Sequence, residues 1–106
     1  MTPLAIQAWQ VVCGEVQPEQ ILDIREPDQY GRAHIPGAIN VPYGDLQDRG
    51  PRALDPARSV LVVDPGGARA AEMAVWLRGR GFNASYLEGG MGAWTGELEK
   101  PRRRRR

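Results

Sequence analysis

The chain of 106 residues contains one cysteine, one histidine and one lysine. A lone cysteine, Cys13, cannot close an internal disulfide and supplies no thiolate pair, so a cystine scaffold and a structural zinc module are both excluded. No cationic residue adjoins Cys13 to activate its thiol, and it reads as a small buried residue rather than a nucleophile. His34 stands alone, with no serine or cysteine known to lie beside it, and reads as a structural histidine rather than a general base. No apolar run approaches the roughly 20 residues that span a bilayer. The first twelve residues lack the basic start and clean apolar block of a secretory signal, so a cytoplasmic domain is expected. The length allows one core and not two.

The charges that are present lie unevenly. Lys100 and Arg102, Arg103, Arg104, Arg105 and Arg106 hold six of the fourteen basic side chains. The remaining eight face thirteen acidic ones, which leaves an acidic body at a formal −5. From Glu97 onward the apolar pattern stops, so residues 1–96 are expected to form the domain and 97–106 a disordered basic arm. Such an arm suits contact with an acidic protein surface, nucleic acid or anionic lipid. No aromatic residues interleave its arginines, as base stacking would require.

The body alternates strand-like and helix-like stretches. Thr2-Pro3 followed by apolar Leu4, Ile6, Ala8, Trp9 and Val12 predicts a short amphipathic helix ended by Cys13-Gly14. Gln20 to Ile24 predicts an interior strand, and Arg25-Glu26-Pro27-Asp28 turns the chain into a brief helix through Tyr30. A very short strand follows at Ile39 to Val41. Tyr43 to Gln47 predicts one or two helical turns, and 48–52 a polar surface loop. Val60 to Val63 is the most apolar β-branched run. Ala68 to Arg80 carries Ala70, Met73, Ala74 and Leu77 at helical spacing and is closed by Gly81. Ala84 to Leu87 is a last strand, and Glu88-Gly89-Gly90 turns into a final helical piece at Trp94. This alternation predicts a mainly parallel sheet with helices on both faces, its strand ends opening on one edge.

Two places on that edge carry chemistry. The loop Asp64-Pro65-Gly66-Gly67-Ala68-Arg69 joins a buried strand to a helix N-terminus, where successive N–H groups and the positive helix pole form an anion cradle. Asp23 lies inside a buried strand, so its carboxylate needs a partner, and Arg25 or a backbone donor is the candidate. Gly89 and Gly90 have no side chain and allow a backbone to pass close to the cradle.

Four motifs in order resemble the rhodanese-like (sulfurtransferase) domain family: Leu22 to Glu26 with Tyr30, His34 to Asn40, Val60 to Arg69, and Leu87 to Gly90 with Trp94. The resemblance implies a three-layer α/β fold. It also implies that, in active members, a cysteine opens the six-residue loop and carries sulfur as a persulfide on the loop's donors. Here that position is Asp64, while Gly67 and Arg69 match. Asp23, Arg25, His34, Gly89, Gly90 and Trp94 belong to the structural motifs.

An aspartate has no sulfur atom, so a catalytically inactive binding or regulatory module is the leading expectation, with no cofactor and no metal. Its partner would be a protein, or an acidic surface reached by the arm. The alternatives are a sulfurtransferase-related enzyme, a phosphoryl acceptor using Asp64, and a small-anion binder using Arg69 and the loop N–H groups. Within the loop, Asp64 has two expected partners, the helix N-terminus and the Arg69 side chain.

Overall fold

The computed structural model describes residues 2–101. Five strands form one wholly parallel sheet: β1 (Ala5–Ile6), β2 (Gln20–Asp23), β3 (Ile39–Asn40), β4 (Val60–Val63) and β5 (Ala84–Leu87), in the order β1-β5-β4-β2-β3. The helices are α1 (Ala8–Val12), α2 (Pro27–Arg32), α3 (Leu46–Ala53) and α4 (Ala68–Arg78), with 3₁₀ turns at Tyr43–Asp45 and Gly90–Ala93. The arm residues Arg102, Arg103, Arg104, Arg105 and Arg106 lie outside the described residues.

Strand β4 is buried throughout because both faces of the sheet are covered. Its period of two splits the core. Val60 and Val62 meet Leu46, Leu54, Met73 and Leu77 from α3, the loop after it and α4. Leu61 and Val63 meet Ala8, Ile35 and Ala38, with Val11, Tyr30 and Trp94 packed at the margin. Each such leucine or valine contributes about 1.5–3 kcal/mol by leaving water. Register then sets the functional edge: Asp23 pairs with Val63, and the Ile24 N–H donates to the Val63 carbonyl at 3.0 Å. The chain segments after β2 and β4 therefore emerge side by side.

Several local expectations give way to tertiary contacts. The helix expected over Leu4 to Val12 begins only at Ala8, because Leu4 and Ile6 carbonyls accept the Tyr86 and Glu88 N–H groups and draw this stretch into the sheet as β1. Cys13 is exposed, not buried, since it caps the end of a helix of five residues whose only fully buried member is Ala8. The polar loop expected at 48–52 is helical despite Gly50 and Pro51. Leu46 is fully buried and lies over Gly50, where a Cβ would meet its Cδ1 at 2.7 Å, and the Arg49–Asp45 and Arg52–Asp48 pairs line the outer face. Helix α4 ends at Arg78 and closes through Gly81 at φ +91°, with the Phe82 N–H reaching back to the Leu77 carbonyl.

Glu97 and Glu99, expected in the arm, contact the body. The Trp94 indole N–H donates to the Glu97 carbonyl at 3.0 Å, and Glu99 forms an antiparallel bridge with His34 through bonds of 3.0 and 2.7 Å. Glu99 is thus strapped to the body by a partner more than sixty residues away in sequence.

Candidate functional site

The β4–α4 loop is built around the side chain of Asp64. Its carboxylate turns back into the concavity, where Oδ1 accepts the Gly67 N–H at 2.5 Å and Oδ2 accepts those of Arg69 and Ala70 at 3.0 and 3.1 Å. Arg69 and Ala70 are the second and third residues of α4, so the carboxylate satisfies two of the orphan donors at the helix start and faces its positive pole. Asp64 is only 3% exposed. Pro65, Gly66, Ala68 and Arg69 form the exposed rim.

Two glycine positions make this loop geometrically possible. Gly67 has φ +104°, a conformation that other residues adopt at a cost of about 1–2 kcal/mol. Gly90 has φ +61° and lies on the loop backbone, where a Cβ would come within 2.5 Å of the Asp64 carbonyl oxygen and 2.6 Å of the Gly66 nitrogen. The turn holds that approach with two bonds, from the Met91 N–H to the Asp64 carbonyl at 2.7 Å and from the Gly92 N–H to the Pro65 carbonyl at 3.2 Å. Gly89 precedes it at φ +78°.

Beside the loop, Asp23 is fully buried and held by Arg25. The guanidinium donates to both carboxylate oxygens at 2.8–3.1 Å, the Arg25 backbone N–H adds a bond at 3.0 Å, and Nη2 continues to the Ala33 carbonyl at 2.7 Å. The Asn40 amide bridges the Asp23 and Arg25 carbonyls at 3.0 Å each. Asp23 is therefore a structural tie between β2 and the loop that follows.

His34 is likewise held by its neighbours. Its ring stacks on Tyr30 at 3.8 Å, Nδ1 donates to the Tyr30 carbonyl at 2.8 Å, and Nε2 lies 3.3 Å from a Glu99 carboxylate oxygen. The Tyr30 hydroxyl donates to the Ala38 carbonyl at 2.6 Å. Burial, followed by the Glu99 and Asp23 charges, raises the Tyr30 phenol above its ordinary value. The folded state thus holds this proton more tightly than the unfolded chain. The resulting stabilisation is complete below about pH 10 and is lost as pH rises through the raised folded value. In an ultraviolet titration, Tyr30→Phe is expected to remove a late-ionising phenol; an unchanged high-pH limb would contradict the assignment.

The Arg69 side chain does not pair with Asp64. Its guanidinium lies 4.5 Å from the centre of the Tyr43 ring, whose hydroxyl donates to Glu72 at 3.0 Å, and that bond lifts the Tyr43 phenol above its usual value. Tyr43 and Glu72 thus belong to the rim, although no local signal marked them, since they stand 29 residues apart. Gly89, Gly90 and Trp94 follow β5, with Trp94 capping the last turn. Cys13 sits at the end of α1, its thiol directed at the Gln10 carbonyl at 3.7 Å. Among the described residues, no three of His, Cys, Asp and Glu form a group that would hold a metal ion.

The arrangement matches known proteins over most of its length. It is 28% identical over 97 residues to the putative sulfur carrier protein YrkF of Bacillus subtilis, covering 91% of this chain but only 52% of that protein. It is 30% identical over 79 residues to the putative sulfurtransferase YtwF of the same organism, covering 74% and 76%. The crystal structure of a rhodanese-like domain protein from Staphylococcus aureus superposes with a TM-score of 0.78 at 29% identity, covering 92% of this chain and 98% of that one. Residues 8–97 match the family model of the rhodanese-like domain. On this match, the chain belongs to the rhodanese-like domain family.

Proposed function

We propose that this is a catalytically inactive rhodanese-like domain that binds or regulates, with Asp64 standing where active members carry the sulfur-bearing cysteine. One observation carries the reading: the cradle that would hold an anionic sulfur species is filled by a carboxylate from its own loop. Asp64 cannot form a persulfide, and its charge opposes entry of thiosulfate or phosphate. The sole thiol, Cys13, lies at the end of α1, an element that takes no part in the loop. The small-anion reading is weakened because three loop donors are already taken. The phosphoryl-acceptor reading is weakened because Asp64 and Asp23 are each engaged through both carboxylate oxygens, Asp23 by Arg25. Two of the relatives carry sulfur-carrier and sulfurtransferase names, so a protein handling sulfur is the partner class this reading favours.

The test is a thiosulfate:cyanide sulfurtransfer assay on the purified chain. The expected result is no turnover above the heat-denatured control, with Cys13→Ser identical. Robust turnover that survives Cys13→Ser would overturn the proposal.

A further inference from the structure

The eight arginines of the body are not equally engaged. Among the described residues, five pair with a carboxylate, and Arg78 donates to the Ala84 and Thr2 carbonyls at 2.6 Å each. Arg69 and Arg80 have no carboxylate or carbonyl acceptor among the described residues. Each lies instead on an aromatic face, Arg69 4.5 Å from the centre of the Tyr43 ring and Arg80 4.3 Å from that of Trp76. A ring holds a guanidinium flat and leaves the N–H fork at its edge for an acceptor.

Both arginines belong to one face of α4 and the turn that closes it. Arg69, Trp76 and Arg80 follow at spacings of seven and four residues, which a helix places in a row. At 1.5 Å per residue, the distance along the axis from Arg69 to Arg80 is about 16 Å. Val75 lies beside the row at 56% exposure, and Trp76 is half-buried. Glu72 stands between the arginines, but its carboxylate accepts the Tyr43 hydroxyl at 3.0 Å and pairs with neither. Tyrosine, tryptophan and arginine are the side chains that dominate binding energy where two proteins meet. Because both guanidinium groups are already ordered on rings, engaging them freezes few further side-chain torsions.

We propose that this row docks an acidic segment of a partner protein, with one carboxylate on Arg69, a second about 16 Å away on Arg80, and an apolar side chain between them on Val75 and Trp76. The inference rests on the binding role proposed above and gives it a partner chemistry. Charge complementarity sets the class. Each flat fork matches a carboxylate in two-point contact. Two acids eleven residues apart on one helix face repeat the arginine spacing. A nucleic acid fits less well, because its closely and evenly spaced phosphates would bring charge against Glu72. The row begins at the second residue of α4, so a docked partner lies beside the Asp64 loop.

The probe is a synthetic helical peptide on a neutral alanine–glutamine background, with two glutamates eleven positions apart and a leucine between them. It is titrated into the full chain at about 0.01 M salt, where screening is weak, and the Trp76 indole NMR signal is followed. Trp94, in the other core cluster, is the internal control. The Trp76 signal is expected to move saturably while Trp94 stays in place. Peptides with the glutamates four positions apart, or with glutamine at both, should bind about tenfold more weakly. Arg69→Gln and Arg80→Gln should each weaken the eleven-spaced peptide about tenfold, and Arg52→Gln, whose guanidinium pairs with Asp48, by less than about twofold. The spacing series uses the unaltered chain, so it decides the proposal even where a substitution disturbs folding. Equal affinity for the four- and eleven-spaced peptides would overturn the proposal, as would an unmoved Trp76 signal or an equal loss with Arg52→Gln. An oligothymidylate that moves Trp76 at lower concentration than the peptide, and does so only with Arg69 and Arg80 present, would assign the row to nucleic acid and overturn it as well. Failure here leaves the reading of Asp64 standing, and turnover in the sulfurtransfer assay would overturn that reading without altering the peptide titration.

Discussion

Arg25→Ala is expected to destabilise the domain by about 3–5 kcal/mol, the cost of leaving a buried charge without its partner. Asp23 is fully buried, and the Arg25 guanidinium is the only cation on its carboxylate among the described residues. The same substitution removes the bond to the Ala33 carbonyl, loosening the start of the His34 segment. Urea unfolding should show a lower midpoint with an unchanged slope, the signature of lost stability rather than altered compactness. Arg25→Lys should fall between wild type and alanine, because an ammonium supplies the charge without the planar fork that contacts both oxygens. A loss below about 1 kcal/mol for Arg25→Ala would show that the pair behaves as a surface ion pair.

Gly90→Ala is the second large effect, and its cause is steric. The new methyl would lie 2.5–2.6 Å from three backbone atoms of the Asp64–Gly66 segment, none of which can move as a side chain can. The φ of +61° adds its own penalty for any residue with a Cβ. Overpacking and backbone strain together predict a loss of about 3 kcal/mol or more. For a domain of this size that lowers Tm by roughly 12–24 °C. Gly66→Ala is the control in the same loop: a Cβ there would meet nothing within 4 Å and its φ is not positive, so a change within about 0.5 kcal/mol is expected. Equal melting temperatures for Gly90→Ala and wild type would mean that the turn after β5 does not press on the loop.

The features that local sequence revealed are those whose causes are local. Val60 to Val63 ends in Asp-Pro-Gly-Gly and runs into an alanine-rich helix, so the strand, loop and helix follow from adjacent residues. Asp23 required a partner because a buried carboxylate needs one, and Arg25, two residues on, supplies both its guanidinium and its backbone N–H. The features that were missed depend on distant partners. Strand β1 exists because β5 lies beside it some eighty residues later, which overrides the helical pattern of Leu4 to Val12. Helix α3 forms across Gly50 and Pro51 because Leu46 is buried in the core. The strap at Glu99 depends on His34, and the rim pair Tyr43–Glu72 joins two elements with no shared motif. Within the cradle, sequence left two partners open for Asp64, and the backbone took the carboxylate while the Tyr43 ring took Arg69.

The Asp64 carboxylate occupies the loop's donors, and the proposed inactivity rests on that. The most direct measurement is the thiosulfate:cyanide activity of Asp64→Cys, made on protein whose circular dichroism matches wild type and whose new thiol is titratable. The N–H groups of Gly67, Arg69 and Ala70 that now hold the carboxylate would then surround a thiolate. The expected result is turnover where the wild type has none, together with a persulfide mass increase abolished by cyanide. A folded Asp64→Cys chain that neither turns over nor takes up sulfur would contradict the reading of Asp64 as the residue that silences this loop.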